Sequence, residues 1–196
     1  MNSSWLSLLL SLPLGSYPAN NLEGAEWRVL TDGSTHVACS KQPDITWCRS
    51  TAVINGSKDK LAGILKDFEN YPQIFKRVYK TKVLEPNVVH VLLDMPFPLK
   101  LRDYIAQFEE TEEGDHLVFT FNSVDHAEAA LPSGDSVRLP RAAGQWRLEP
   151  VSGTQTRVTY TWNGELLGNI ATFQLPTAWK TQGTEVMEWL EEAVEE

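Results

Sequence analysis

The stretch DMPFPLKLRDY, Asp94 to Tyr104, interrupts two strands. NVVHVLLD (87–94) precedes it and LRDYIAQFEE (101–110) follows it, and both read as β-strand. Between them Pro96 and Pro98 flank Phe97, and Arg102 and Asp103 stand side by side where the second strand begins. Proline donates no backbone hydrogen bond, so the two prolines stop ladder pairing and make the segment a loop.

Outward from this loop the period stays at two. VYKTKVLE (78–85), DHLVFTFNSV (115–124), AGQWRLEP (143–150) and TRVTYTWN (156–163) bring the set to six strands. Glu85-Pro86, Glu113-Gly114 and Ser152-Gly153 separate several of them, which favours an antiparallel meander. Leu117, Phe119 and Phe121 share one face, and Val118, Thr120 and Asn122 the other. Trp146 and Leu148 oppose Gln145, Arg147 and Glu149; Val158, Tyr160 and Trp162 oppose Arg157, Thr159 and Thr161. One face of the sheet is therefore wet and the other dry and aromatic. Residues 126–140 read as a loop carrying a helix-prone AEAAL (127–131).

On the N-terminal side, LEGAEWRVLT (22–31) reads as a short amphipathic segment of helical character. Val37–Lys41 and Ile45–Arg49 read as a hairpin whose second strand runs to Ile54. A two-residue Pro43-Asp44 loop pairs Gln42 with Ile45 and sets Cys39 opposite Cys48 at a non-hydrogen-bonded position, where side chains are closest. That register permits a disulfide; a slipped register, since proline excludes a type I′ turn, leaves two buried thiols. After the Asn55-Gly56 turn, Ser57 caps a helix with Asp59 in its first turn and Leu61, Ile64, Leu65 and Phe68 at helical spacing. Asn55-Gly56-Ser57 also matches a glycosylation acceptor, but capping accounts for Ser57. Pro72 ends that helix, and YPQIFK (71–76) reads as a second short one.

Pro176 to Val194 reads as a long helix with Pro176 in its first turn. Trp179, Gly183, Val186, Leu190 and Ala193 or Val194 form its apolar face, widened by Met187 and Trp189. A mid-helix glycine costs about 1 kcal/mol relative to alanine, so Gly183 points to a close approach on that face. An antiparallel sheet with one apolar face needs a cover, and this helix supplies it in an α+β domain. Large aromatics facing a glycine-notched helix point to a hydrophobic tunnel, although the periodicity alone favours a solid core over a pocket.

At 196 residues the chain forms one domain, residues 22–196, after a segment 1–21 that reads as a signal peptide or a disordered leader. Trp5 to Leu14 has the length of a signal-peptide core, although no Lys or Arg precedes Arg28. The leader and the cysteine pair favour an exported protein, periplasmic or secreted, over a cytoplasmic one. A net charge of −9 and a pI near 5.0 argue against nucleic acid and against general attraction to anionic membranes. FKRVYKTK (75–82) holds four of the 17 basic residues and reads as a solvated strand face.

No nucleotide-binding loop, nucleophile elbow, zinc motif or CxxC occurs, and His36, His90, His116 and His126 lack ligand spacing. Ser123, Asp125 and His126 are close in sequence, but a triad is assembled by the fold and not by adjacency. His90 reads as structural, and Asp94 as a solvated strand end rather than a general base.

The order of short helix, hairpin, one or two helices, six-stranded meander and long helix, with FPLKLRDYI (97–105) within the meander, resembles the START domain of the START-like helix-grip superfamily. Pro96, Pro98, Leu99, Arg102 and Asp103 match its Pro-rich loop and following Arg-Asp. AVINGSKDKLAGILKDFENYP (52–72) is similar to its first strand–helix unit, and PTAWKTQGTEVMEWLEEAV (176–194) to its lid helix. The resemblance runs from Trp27 to Val194. It implies a curved antiparallel sheet wrapped around the C-terminal helix. Between them it implies a tunnel for a lipid or other hydrophobic small molecule, held for transfer or sequestration without catalysis, cofactor or metal. The candidate ligand-binding residues are Phe97, Leu99, Arg102, Tyr104, Phe108, Phe119, Phe121, Trp146, Tyr160, Trp162, Trp179, Gly183, Val186, Met187 and Leu190. The 96–101 loop would lie at the tunnel mouth, where Phe97 and Leu99 touch a membrane transiently or close over the ligand. Arg102 and Asp103 would pair locally or orient that loop. Sterol-binding members can carry a further tunnel arginine where this chain has Phe108. The polar candidates nearby are Tyr104, Tyr160, Gln174 and Thr177. The alternatives on the same fold are a cyclase or aromatase type of enzyme and a ligand-sensing module.

Overall fold

Ten strands form one sheet in a computed structural model that describes Tyr17 and residues 22–95, 99–129, 136–167 and 171–195. They are β1 (Arg28–Asp32), β2 (Thr35–Lys41), β3 (Thr46–Ile54), β4 (Val78–Glu85), β5 (Val88–Leu93), β6 (Leu101–Glu113), β7 (His116–Ser123), β8 (Ser136–Arg138), β9 (Ala143–Pro150) and β10 (Thr156–Asn163). The helices are α1 (Lys58–Lys66), α2 (Tyr71–Ile74) and α3 (Leu175–Glu195).

The sheet runs β1-β2-β3-β10-β9-β7-β6-β5-β4. All six meander strands are present, and every pairing along this path is antiparallel. The N-terminal hairpin joins the meander through β3 and β10, in register from Ile54↔Thr156 to Trp47↔Asn163. Within the hairpin the Gln42 N–H donates to the Ile45 carbonyl at 3.2 Å, and Cys39 lies opposite Cys48. The two cysteines form a disulfide with Cα atoms 4.0 Å apart.

Two elements differ from the sequence reading. Residues 22–31 are not helical: Leu22–Gly24 make a turn, and Arg28–Asp32 are β1, paired with β2. The open edge of β2 offers backbone partners that outweigh a weak helical period. Residues 126–140 contain β8, which pairs parallel with Leu101–Asp103. Of AEAAL, residues 127–129 form a turn and the rest lies outside the described residues.

Ser57 caps α1, accepting the Lys60 N–H at 3.2 Å. Leu61 and Leu65 of α1 and Met187, Leu190 and Val194 of α3 are buried in one core with Leu148 and Val158 of the sheet. Full burial of each such side chain contributes roughly 1.5–3 kcal/mol. α3 approaches the sheet closely at Gly183. A Cβ there would lie 2.9 Å from Trp162 Cη2 and 3.0 Å from both Val37 methyls. The Ser50 hydroxyl donates to the Gly183 carbonyl at 2.7 Å, so this notch is filled by the sheet and opens into no tunnel.

The segment read as a leader lies outside the described residues except Tyr17. Its ring packs edge-on against Trp47 at 5.6 Å, and its N–H donates to Asn122 Oδ1 at 2.6 Å. No described helix is long and apolar enough to cross a membrane.

Candidate functional site: an aromatic cavity beneath the last helix

Toward one end of the molecule α3 and the sheet separate around a cavity of about 300 Å³. The strand period carries the wall. Tyr104 and Phe108 come from β6, Phe121 from β7, Trp146 from β9, and Tyr160 and Trp162 from β10. Ala178, Val186 and Trp189 line it from α3, and Tyr71 and Phe75 from α2 and its C-cap. The wall rings lie nearly parallel: Tyr160 and Trp162 are 5.0 Å apart at 13°, Trp146 and Tyr160 4.1 Å at 21°, and Tyr104 and Phe121 6.3 Å at 24°. Gly144 makes this row fit. It pairs with both Phe121 and Trp162, and a Cβ there would sit 2.6 Å from the Phe121 ring.

Few polar groups reach the interior. The Tyr71 hydroxyl donates to the Leu65 carbonyl at 2.6 Å. The Tyr104 and Tyr160 hydroxyls hydrogen-bond to no described residue, and the Trp162 indole N–H is buried without an acceptor among them. Burial pushes all three phenols above the ordinary value of 10.0, and the neighbouring phenols push Tyr160 further. They are therefore neutral hydrogen-bonding groups at physiological pH.

The charged lining residues are Arg77, Asp94 and Glu165. Arg77 pairs with Glu185 of α3 through two bonds of 2.6 and 2.9 Å. Glu165 pairs with Arg141, whose carbonyl accepts from Asn163 Nδ2. Asp94 is exposed.

Of the residues proposed from sequence, Tyr104, Phe108, Phe121, Trp146, Tyr160, Trp162 and Val186 line the cavity together. Phe119, Met187 and Leu190 lie in the packed core. Trp179 packs against the Val37–Trp162 cluster and donates its indole N–H to the Gly164 carbonyl at 2.9 Å. Leu99 is half-buried away from the cavity lining, Gln174 and Thr177 are exposed, and Phe97 lies outside the described residues.

Arg102 is 2% exposed and does not line the cavity either. Its guanidinium donates to the carbonyls of Leu166, Lys100 and Leu167 at 2.6, 2.6 and 2.7 Å. Desolvation lowers its pKa. It does not pair with Asp103, because consecutive strand residues point to opposite faces. Asp103 instead accepts from Arg138 at 2.7 Å and lies 2.8 Å from His90 Nε2. The adjacent charges thus fasten two different segments: Arg102 holds the β10–α3 connection to the start of β6, and Asp103 holds β8 and β5.

Sequence reasoning missed Tyr71, Phe75, Leu139, Leu166, Ala178 and Gln182 in the lining. The Tyr71–Phe75 spacing of four on a short helix was a usable signal. Leu139 and Leu166 sit in connections, where no period marks the inward side.

No family model matches the chain, and no curated protein sequence does. Solved structures do match. A STAR-related lipid transfer protein fragment from Xanthomonas axonopodis superposes with a TM-score of 0.76 at 19% identity, over 87% of this chain and 99% of that one. Human StAR-related lipid transfer protein 5 gives 0.76 at 14% identity, over 86% of each chain. The Zhui aromatase/cyclase from a Streptomyces species gives 0.51 at 14% identity, over 76% of this chain and 90% of that one. The fold is therefore START-like: a curved antiparallel sheet gripping a long C-terminal helix.

Proposed function

We propose that this protein binds a lipid or other hydrophobic small molecule in the cavity under α3 and carries or sequesters it chemically unchanged. The observation that carries this reading is the row of aromatic rings facing an unfilled space between sheet and helix. Such apolar concavities with a few placed polar groups are how proteins take up small ligands. Two of the three charged lining residues are held in ion pairs, and general acid–base catalysis needs groups free to exchange protons with the substrate. This favours a carrier over an enzyme of the aromatase/cyclase kind.

The leader-like start and the Cys39–Cys48 disulfide support action outside the cytoplasm, in a periplasm or secreted. Transient membrane contact through the 96–101 loop is part of the proposal. Phe173, 80% exposed, and Leu167, 38% exposed, support a second contact on the β10–α3 connection, whose Leu166 lines the cavity.

The test is organic extraction of the purified protein and mass spectrometry of the extract, beside a mock purification and the Val186→Trp variant. A stoichiometric hydrophobic compound in the wild type and none in the variant is the expected result. Equal recovery from both would remove the cavity from the function.

A further inference from the structure

The aromatic wall of the cavity carries two phenol hydroxyls that hydrogen-bond to no described residue. They belong to Tyr104 and Tyr160; the Trp162 N–H also lacks an acceptor among the described residues, but it is buried within the wall and does not open on the cavity. Tyr71 spends its own proton on the Leu65 carbonyl. On an otherwise aromatic wall these two hydroxyls are the polar partners open to an occupant, and a carbonyl, which has no proton of its own, uses both of them as donors.

Charge narrows the class. Arg77 is neutralised bidentately by Glu185, and Arg102 is turned toward three backbone carbonyls. Neither cation is free to meet a phosphate or carboxylate. Asp94, which makes no ion pair with a described residue, puts an exposed negative charge on the lining. The phenols stay protonated because burial opposes their ionisation, so they offer no anion to a cationic headgroup.

Size narrows it further. About 300 Å³ lies at the bottom of the range, about 300–1,000 Å³, for pockets that hold drug-sized molecules. A lipid with two long acyl chains and a headgroup does not fit inside.

Building on the pocket function proposed above, we infer that the ligand is a compact, uncharged, ring-containing or otherwise bulky apolar molecule. It carries a hydrogen-bond acceptor such as a ketone or ester carbonyl, which the hydroxyls of Tyr104 and Tyr160 hold. The near-parallel rings of Trp146, Tyr160 and Trp162 form the apolar side of its berth. Diacyl phospholipids and ionised fatty acids fall outside this class as enclosed ligands.

The test uses the full chain and two neutral naphthalenes, 6-propionyl-2-dimethylaminonaphthalene and the same compound with propyl in place of propionyl. Binding is read by tryptophan quenching and by calorimetry, with phosphatidylcholine vesicles carrying a fluorescent diacyl lipid as the third probe. One ketone should bind per chain, about ten-fold tighter than the propyl compound, as one or two net hydrogen bonds predict. In the Tyr104→Phe/Tyr160→Phe double variant, which keeps both rings, that preference should fall below about three-fold while the propyl compound binds as before. Circular dichroism and Tm would show that the variant is folded. Equal binding of the two naphthalenes to the wild type, or stoichiometric uptake of the diacyl lipid, would overturn this inference and leave the pocket function standing. No binding of any probe would remove both.

Discussion

A buried arginine surrounded by carbonyls is a structural staple, and its removal should be felt locally. Replacing Arg102 by Met leaves the carbonyls of Lys100, Leu166 and Leu167 without their donor. An orphaned buried acceptor costs about 1–3 kcal/mol, so the variant should lose about 3 kcal/mol or more in urea unfolding. Lysine, with a compact charge and no planar fork, should recover only part of it. A loss below about 1 kcal/mol would mean that Arg102 does not hold the β10–α3 connection. The buried phenols give a second prediction. In the folded state Tyr71, Tyr104 and Tyr160 keep their protons above pH 10, where the unfolded chain releases them. Their contribution is complete below pH 10 and is lost as pH rises beyond it, at up to about 4 kcal/mol per pH unit for three protons. Urea unfolding between pH 8.5 and 11 measures that slope, and Tyr160→Phe should cut it by about a third. At this scale the sequence was informative wherever a period existed. Alternation put Phe121, Trp146, Tyr160 and Trp162 on one face, and the family resemblance added Tyr104 and Phe108; all six line the cavity. Alternation could not separate Phe119, on the same face of β7, from Phe121, because the cavity occupies only part of that face. It does put Arg102 and Asp103 on opposite sides of β6, but it could not show which segments each of them fastens.

Among the elements, the β2–β3 hairpin was the most legible, since the Pro43-Asp44 turn fixes a register that brings Cys39 to Cys48. The disulfide closes a short loop, with a sequence separation of 9. Chain-entropy arguments put its contribution at roughly 2–3 kcal/mol. The Cys39→Ala/Cys48→Ala variant should lose about that much in urea, with the sheet intact by circular dichroism. Reductive alkylation of the unfolded wild type should label both cysteines, and labelling without reductant would show that they are free thiols. β1 and β8 were illegible for a shared reason. They have five and three residues, too few to express a period, and partner backbone rather than their own side chains defines them. The Gly183 notch was legible as a close approach but not for what fills it, because Val37 and Trp162 reach it from strands far away in sequence.

For the whole molecule, a cavity ligand of the kind proposed would make stability depend on occupancy. A ligand that binds only the folded state at 100 times its Kd adds about 2.7 kcal/mol, so Tm should rise with ligand and the Val186→Trp variant should show no such rise. The strand order also governs how the chain reaches this state. β10 is laid between β3 and β9, so Ile54 waits for Thr156 before the central seam can zip. Until then β1–β3 and β4–β9 are two partial sheets, each with an unpaired edge. The hairpin can close by itself within microseconds, but the seam needs ends about a hundred residues apart to meet. The central seam therefore cannot close before β10 is in place. The nascent chain is at its most vulnerable to aggregation just before then, with Tyr104, Phe121 and Trp146 still bare.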